Sequence, residues 1–196
     1  MRAVVERAVE ALARGELAIV PTDTVYGVAA RVDRPDAVAR VFALKGRPAD
    51  KPLPVLGADD GALETVVAFD DDARRLAGAF WPGPLTLVLP RAPGFDADLG
   101  GAAPDVGVRV PARAVTLALL ERTGPLAVTS ANRSGEPPAL TAAAARAALP
   151  GVAVVVDDGE LAGTPSTVAA LAGGLRVVRA GPVSADSLRA ALYGRS

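Results

Sequence analysis

Short apolar runs recur along the whole chain, each broken after a few residues by Gly, Pro, Ser, Thr or Asp, and this punctuation limits the fold more than any other feature. Leu17–Val20, Leu53–Leu56, Leu85–Leu89, Val106–Val110, Leu126–Val128, Val152–Val156, Thr167–Leu171 and Leu175–Val178 have the length and composition of strands. Between them, apolar residues return at helical spacing. Val5, Ala8, Val9 and Leu12 precede Gly15, and Val38, Val41 and Phe42 mark a helix over Asp36–Leu44. Further helices are predicted over Ala73–Phe80, Ala112–Arg122, Thr141–Leu149 and Ser184–Leu192. The alternation is irregular, and Gly173-Gly174 joins two adjacent strands as a hairpin would. The spacing therefore predicts an α/β fold with a mixed sheet and flanking helices, not a purely parallel one. No repeat, heptad or linker divides the chain, so one domain over residues 1–196 is expected.

Composition narrows the chemistry. Of 196 residues 51% are hydrophobic but only 4% aromatic, so the core must be built from Ala, Val and Leu, and little is left for stacking on bases. A formal charge of -1 argues against coating nucleic acid by overall charge, while a local basic groove stays open. The chain has 0 His and 0 Cys, which excludes thiol nucleophiles, histidine bases and His/Cys metal sites. Met1–Arg7 carries charges where a secretory signal needs apolar residues, and no run is long enough to cross a membrane. A cytoplasmic protein without membrane attachment is expected, and the lack of cysteine agrees with a reducing compartment.

Polar residues collect where the apolar runs stop. Thr22-Asp23-Thr24-Val25-Tyr26-Gly27 lies just beyond a strand, and Lys45, Arg47 and Lys51 are expected on the loop leaving the second helix. Three cations suffice to neutralise a triphosphate, and arginine adds a planar fork, although a solvated basic loop reads the same way. No Gly-x-x-x-x-Gly-Lys-Ser/Thr motif occurs, so any phosphate site is built differently from a P-loop. Thr129-Ser130-Ala131-Asn132 is expected as a polar loop at a strand's end, and Ser166-Thr167 forms a third hydroxyl cluster; singly, each also reads as a turn or cap. Arg109 sits inside an apolar strand and needs an anionic partner, either an Asp or a substrate carboxylate. Asp23 is a base or a turn cap, and Tyr26 taken alone reads as a packed ring. Arg176 and Arg179, three apart on a strand, serve different faces, so at most one need line a pocket. Asp70–Asp72 suits a helix N-terminus better than a metal. Gly94–Pro104 has the composition of a mobile loop.

Taken in order, five of these segments resemble the YrdC-like family of threonylcarbamoyl-adenylate synthases: Pro21–Gly27, Lys45-Gly46-Arg47 with Lys51-Pro52-Leu53, Pro82–Thr86, Thr129–Asn132 with Ser134-Gly135, and Ser166–Val168. Arg179-Ala180-Gly181 extends the match. The resemblance implies a single YrdC-like domain whose twisted mixed sheet forms a concave basic groove. It implies formation of threonylcarbamoyl-AMP and pyrophosphate from L-threonine, bicarbonate or CO2 and ATP. Mg2+ would accompany ATP, and transfer RNA or a separate transferase complex would receive the product for N6-threonylcarbamoyladenosine modification. By the same resemblance the catalytic tetrad falls on Lys45, Arg47, Ser130 and Asn132. ATP would meet Arg47, Lys51, Ser130 and Arg179, and L-threonine would meet Thr24, Arg109 and Ser166, with Thr22 and Tyr26 shaping that pocket. Leu56 stands where some relatives carry histidine, and the second domain of longer relatives has no counterpart in the match. The alternatives are an RNA-binding module without turnover and an enzyme that processes carbamoyl-adenylate.

Overall fold

The computed structural model describes residues 2–101 and 104–194, so Ala102 and Ala103 of the expected Gly94–Pro104 loop lie outside the described residues. The strands are β1 (Ala18–Val20), β2 (Gly27–Arg31), β3 (Val55–Leu56), β4 (Leu85–Pro90), β5 (Asp105–Arg109), β6 (Leu126–Ser130), β7 (Val154–Val155), β8 (Thr167–Ala170) and β9 (Arg176–Arg179). The helices are α1 (Arg2–Ala13), α2 (Pro35–Lys45), α3 (Asp60–Leu63), α4 (Asp71–Phe80), α5 (Ala114–Thr123), α6 (Ala142–Ala148) and α7 (Ala185–Tyr193). Among the described residues all nine strands join one sheet in the order β7-β1-β2-β6-β3-β5-β4-β8-β9. The pairs β1/β7, β3/β5 and β4/β8 are parallel and the others antiparallel, which is the mixed α/β sheet the sequence predicts. None of the described helices is long and apolar enough to cross a membrane.

Three local readings are corrected. The strand β2 has no counterpart among the predicted runs, because Gly27-Val28-Ala29-Ala30 lacks the bulky β-branched and aromatic residues that mark strands. Its small residues suit a central position instead. A Cβ on Gly27 would lie 2.6 Å from Val128 Cγ1, so only glycine lets β2 and β6 meet here. Lys45 is not on the exit loop but in the last turn of α2, which ends on Gly46 in the left-handed conformation with φ 60°. Thr129 and Ser130 are not loop residues but the end of β6, opposite Val28 and Gly27. Asp70, by contrast, serves as expected: its carboxylate accepts from Ala73 N–H at 2.8 Å and caps α4.

Alternation along the strands sorts side chains to two faces. Val28, Ala30, Val55, Leu85, Leu87, Val108, Ala127 and Ala169 point into the larger core, which α2, α4, α6 and α7 cover. Ala18, Val20, Ala29, Leu126, Val128 and Leu56 point to the opposite face, where α1 and α5 supply Val5, Ala8, Leu12, Val115, Leu119 and Leu120. Those two helices cover only the β7-β1-β2-β6 end. The other half of that face holds the candidate site.

Candidate active site

Over the uncovered strands lies a cleft of about 500 Å³. Its floor is the set of alternate residues left without a helix above them: Thr86 and Val88 on β4, Asp105, Gly107 and Arg109 on β5, Val168 on β8. The rim comes from Thr22 and Thr24 after β1, Arg47 after α2, Ser130 and Asn132 at the end of β6, Ser166 before β8 and Arg179 at the end of β9. Residues distant in sequence thus converge because β5 and β4 sit between β3 and β8.

One polar group is centred on Arg109, which is only 5% exposed. Its Nε donates to Gly83 O at 2.8 Å, Nη1 to Thr24 Oγ1 at 3.1 Å, and Nη2 to the carboxylate of Asp23. The second hydrogen on each terminal nitrogen has no acceptor among the described residues. Burial lowers the guanidinium's pKa, and the adjacent Asp23 carboxylate opposes that shift. Thr22 Oγ1 donates to Val25 O at 2.7 Å and accepts the backbone N–H groups of Thr24 and Val25, both at 3.2 Å, with the Thr24 hydroxyl 2.9 Å away. Thr24 Oγ1 accepts from Arg109 Nη1 and keeps a second lone pair for a ligand. Across it, Thr86 Oγ1 and Ser166 Oγ lie 2.8 Å apart, and Ser166 Oγ also accepts from Arg179 Nη2 at 3.1 Å. Whichever hydroxyl donates, one hydrogen of that pair remains for a ligand.

The second group surrounds the end of α2. Arg47 lines the cleft with Nε on Lys51 O at 2.8 Å and Nη2 on Pro52 O at 3.0 Å, and burial lowers its pKa. Lys45 is 3% exposed and stands behind the rim, donating to Ser130 O and, at 2.6 Å, to Asn132 O. Burial, reinforced by the charge of Arg47, lowers its ammonium from 10.5 to about 8. Asn132 donates through Nδ2 to Arg133 O and Glu136 O, both at 2.8 Å, while its Oδ1 is buried with no donor among the described residues. An unpaired buried acceptor is costly, so a bound group that satisfies it gains free energy.

Of the residues singled out from sequence, Thr22, Thr24, Arg47, Arg109, Ser130, Asn132, Ser166 and Arg179 meet in the cleft, and Lys45 backs it. Lys51 is exposed and does not line it. Arg179 lines it and Arg176 does not, in keeping with their opposite faces. Tyr26 is fully buried and points elsewhere, its hydroxyl donating to Gly159 O at 2.7 Å and accepting from Asp158 N–H at 3.2 Å. Sequence reasoning missed Thr86 as a floor residue and Asp23 as the partner of Arg109, although an arginine inside an apolar strand signalled that some carboxylate had to meet it. It also missed Asp105 and Glu136, the acidic residues of the lining. A second hollow, of about 660 Å³, lies between α1 and α5, and three of its charged lining residues are engaged in ion pairs, Glu6 with Arg122 and Asp158 with Arg113.

A sequence profile of the Sua5/YciO/YrdC family, described as "Telomere recombination", matches residues 10–181. The chain belongs to this family. A putative threonylcarbamoyl-AMP synthase of Mycobacterium tuberculosis is 44% identical over 187 residues, covering 92% of this chain and 85% of that one. A threonylcarbamoyl-AMP synthase of Bacillus subtilis is 35% identical over 194 residues, covering 96% of this chain and 56% of its own length. The crystal structure of Sua5 from Pyrococcus abyssi complexed with L-threonine superposes with a TM-score of 0.92 at 35% identity, over 97% of this chain and 57% of that one. The chain thus spans most of the mycobacterial family member and little more than half of the other two.

Proposed function

We infer that this chain is an L-threonylcarbamoyladenylate synthase, a nucleotidyltransferase that forms threonylcarbamoyl-AMP and pyrophosphate from L-threonine, bicarbonate or CO2, and ATP. The observation that carries the reading is the polarity of the Arg109 end of the cleft. Two guanidinium hydrogens and a hydroxyl hydrogen of the Thr86–Ser166 pair await acceptors, while Thr24 Oγ1 awaits a donor. An α-amino acid offers the complement, a carboxylate beside an amine. Its hydroxyl would reach the Thr86–Ser166 pair.

The amine adds to CO2 and loses a proton, giving a carbamate. One carbamate oxygen then attacks the α-phosphorus of ATP, and pyrophosphate leaves with the electron pair of the broken P–O bond. No protein nucleophile is required, which suits a chain with 0 Cys and 0 His. The protein's part is positioning and charge neutralisation. Arg47 faces the phosphates as a planar donor, Ser130 adds a hydroxyl, and Arg179 lies at the far rim. Lys45 holds the backbone oxygens of Ser130 and Asn132 and places its charge behind them.

Magnesium fits the residues present. The orphaned Asn132 Oδ1 is a hard oxygen ligand beside the proposed phosphate site, and the chain otherwise offers no cluster of three acidic ligands among the described residues. Such an ion would be held by phosphate oxygens and Asn132, and would supply further neutralisation of the phosphates. A cytoplasmic setting with transfer RNA, or a transferase complex, receiving the product completes the reading.

Pyrophosphate release from ATP, with L-threonine and bicarbonate omitted in turn, tests it. Release that requires both is the expected result. Release indifferent to threonine, or none from folded protein, would overturn it in favour of carbamoyl-adenylate processing or RNA binding.

A further inference from the structure

We propose that Asp23 is a specificity-determining residue: by balancing the charge of Arg109 it makes this end of the cleft accept an amino acid zwitterion and reject a simple carboxylate. The inference rests on the reading of that end as the threonine site. Asp23 occupies the turn after β1, and its Oδ1 accepts from Arg109 Nη2 and, at 3.0 Å, from Ala112 N–H ahead of α5. The two side chains are 6% and 15% exposed, so water screens their interaction weakly. Asp23 does not itself line the cleft, and it acts through the guanidinium and through its field.

A lone buried Arg109, with Arg179 as the neighbouring cation that acts on it, would attract any anion, including free phosphate. With Asp23 in place the Arg109 pair is neutral, and a ligand carboxylate gains less from Arg109 because Asp23 repels it. A ligand that also carries an ammonium recovers the loss, since the acceptor Thr24 Oγ1 lies 3.1 Å from Arg109 Nη1, on the guanidinium that holds Asp23. The pair therefore reads both charges of the amino acid together.

Binding of L-threonine and of (R)-3-hydroxybutyrate, which is threonine with the amine replaced by hydrogen, tests this by calorimetry in the absence of ATP. The wild-type chain is expected to favour threonine by about a hundredfold. Asp23→Asn keeps the volume and an oxygen for Ala112 N–H, and it should cut that ratio by about tenfold, chiefly by tightening 3-hydroxybutyrate. Asp23→Glu keeps the charge and should restore the preference. A folded Asp23→Asn protein with the wild-type ratio overturns the proposal. So does a wild-type chain that binds both ligands equally, whether or not the variant folds. If the wild-type chain binds no threonine at all, the functional reading itself fails.

Discussion

Arg47 and Lys45 illustrate how two cations on one helix end divide the work. Arg47 spends only two of its hydrogens on backbone oxygens and keeps the rest toward the cleft, so its side chain contributes little to the fold. Arg47→Ala should therefore abolish pyrophosphate release while lowering stability by no more than about 1–2 kcal/mol, as steady-state kinetics and a urea melt would show. Lys45 is different because burial has moved its titration close to the working range, to about 8. Above that pH two amine hydrogens still reach Ser130 and Asn132, but the charge is gone. ATP affinity measured without threonine should weaken about tenfold between pH 8 and 9.5, since binding the polyanion requires the ammonium. Stability should move the other way. The folded value lies below the ordinary 10.5, so between about 8 and 10.5 the unfolded chain holds more protons, and this group makes the fold more stable as pH rises. An ATP affinity flat across that range would show that Lys45 acts only through its hydrogen bonds.

The segment following β9 shows how an element's path sets a side chain's position. After Arg179 the chain passes so close to the start of β8 that a Cβ on Gly181 would lie 2.4 Å from Thr167 N, 2.6 Å from Pro165 O and 2.6 Å from Ser166 C. These are backbone atoms and cannot turn aside as a side chain would. Gly181→Ala should cost about 1–3 kcal/mol and displace Ser166 from its contacts with Thr86 and Arg179, so threonine affinity falls with stability; paired denaturation and threonine titrations read both. Most elements were legible from their apolar runs, and Arg179-Ala180-Gly181 was legible as a pattern. The strand β2 was not, because small residues at a crowded crossing carry a tertiary signal and no local one. Nor was the sheet order, since β3 enters between β6 and β5 by pairings that no neighbouring residues announce. That order brings Thr24, Arg109 and Ser166 together, so their roles rested on resemblance, while Asp23 stayed hidden beside a residue whose need for it was visible.

At the scale of the whole molecule, one face of the sheet is covered at one end and bare at the other, and the ligand-facing groups gather around the bare end. Thr24 leaves β1, Arg109 ends β5, Ser130 ends β6, Ser166 opens β8 and Arg179 ends β9. A ligand held by all of these bridges strands that are not adjacent, and unfolding any part of the sheet removes its site. Binding should therefore raise the stability of the whole sheet in one transition, not of a local segment. With ligand at a hundredfold excess over its Kd the gain is about 2.7 kcal/mol, which for a chain of this size moves Tm by roughly 5–10 °C. Threonine alone should give such a shift, and ATP with Mg2+ another, because they use different groups on the same sheet. Calorimetric melts with each ligand, and with a non-hydrolysable ATP analogue alongside threonine, check this. A single transition that moves in both cases is expected. A melt that splits into two steps, with only one responding to ligand, would show that the covered and bare halves unfold independently and that the cleft does not couple them.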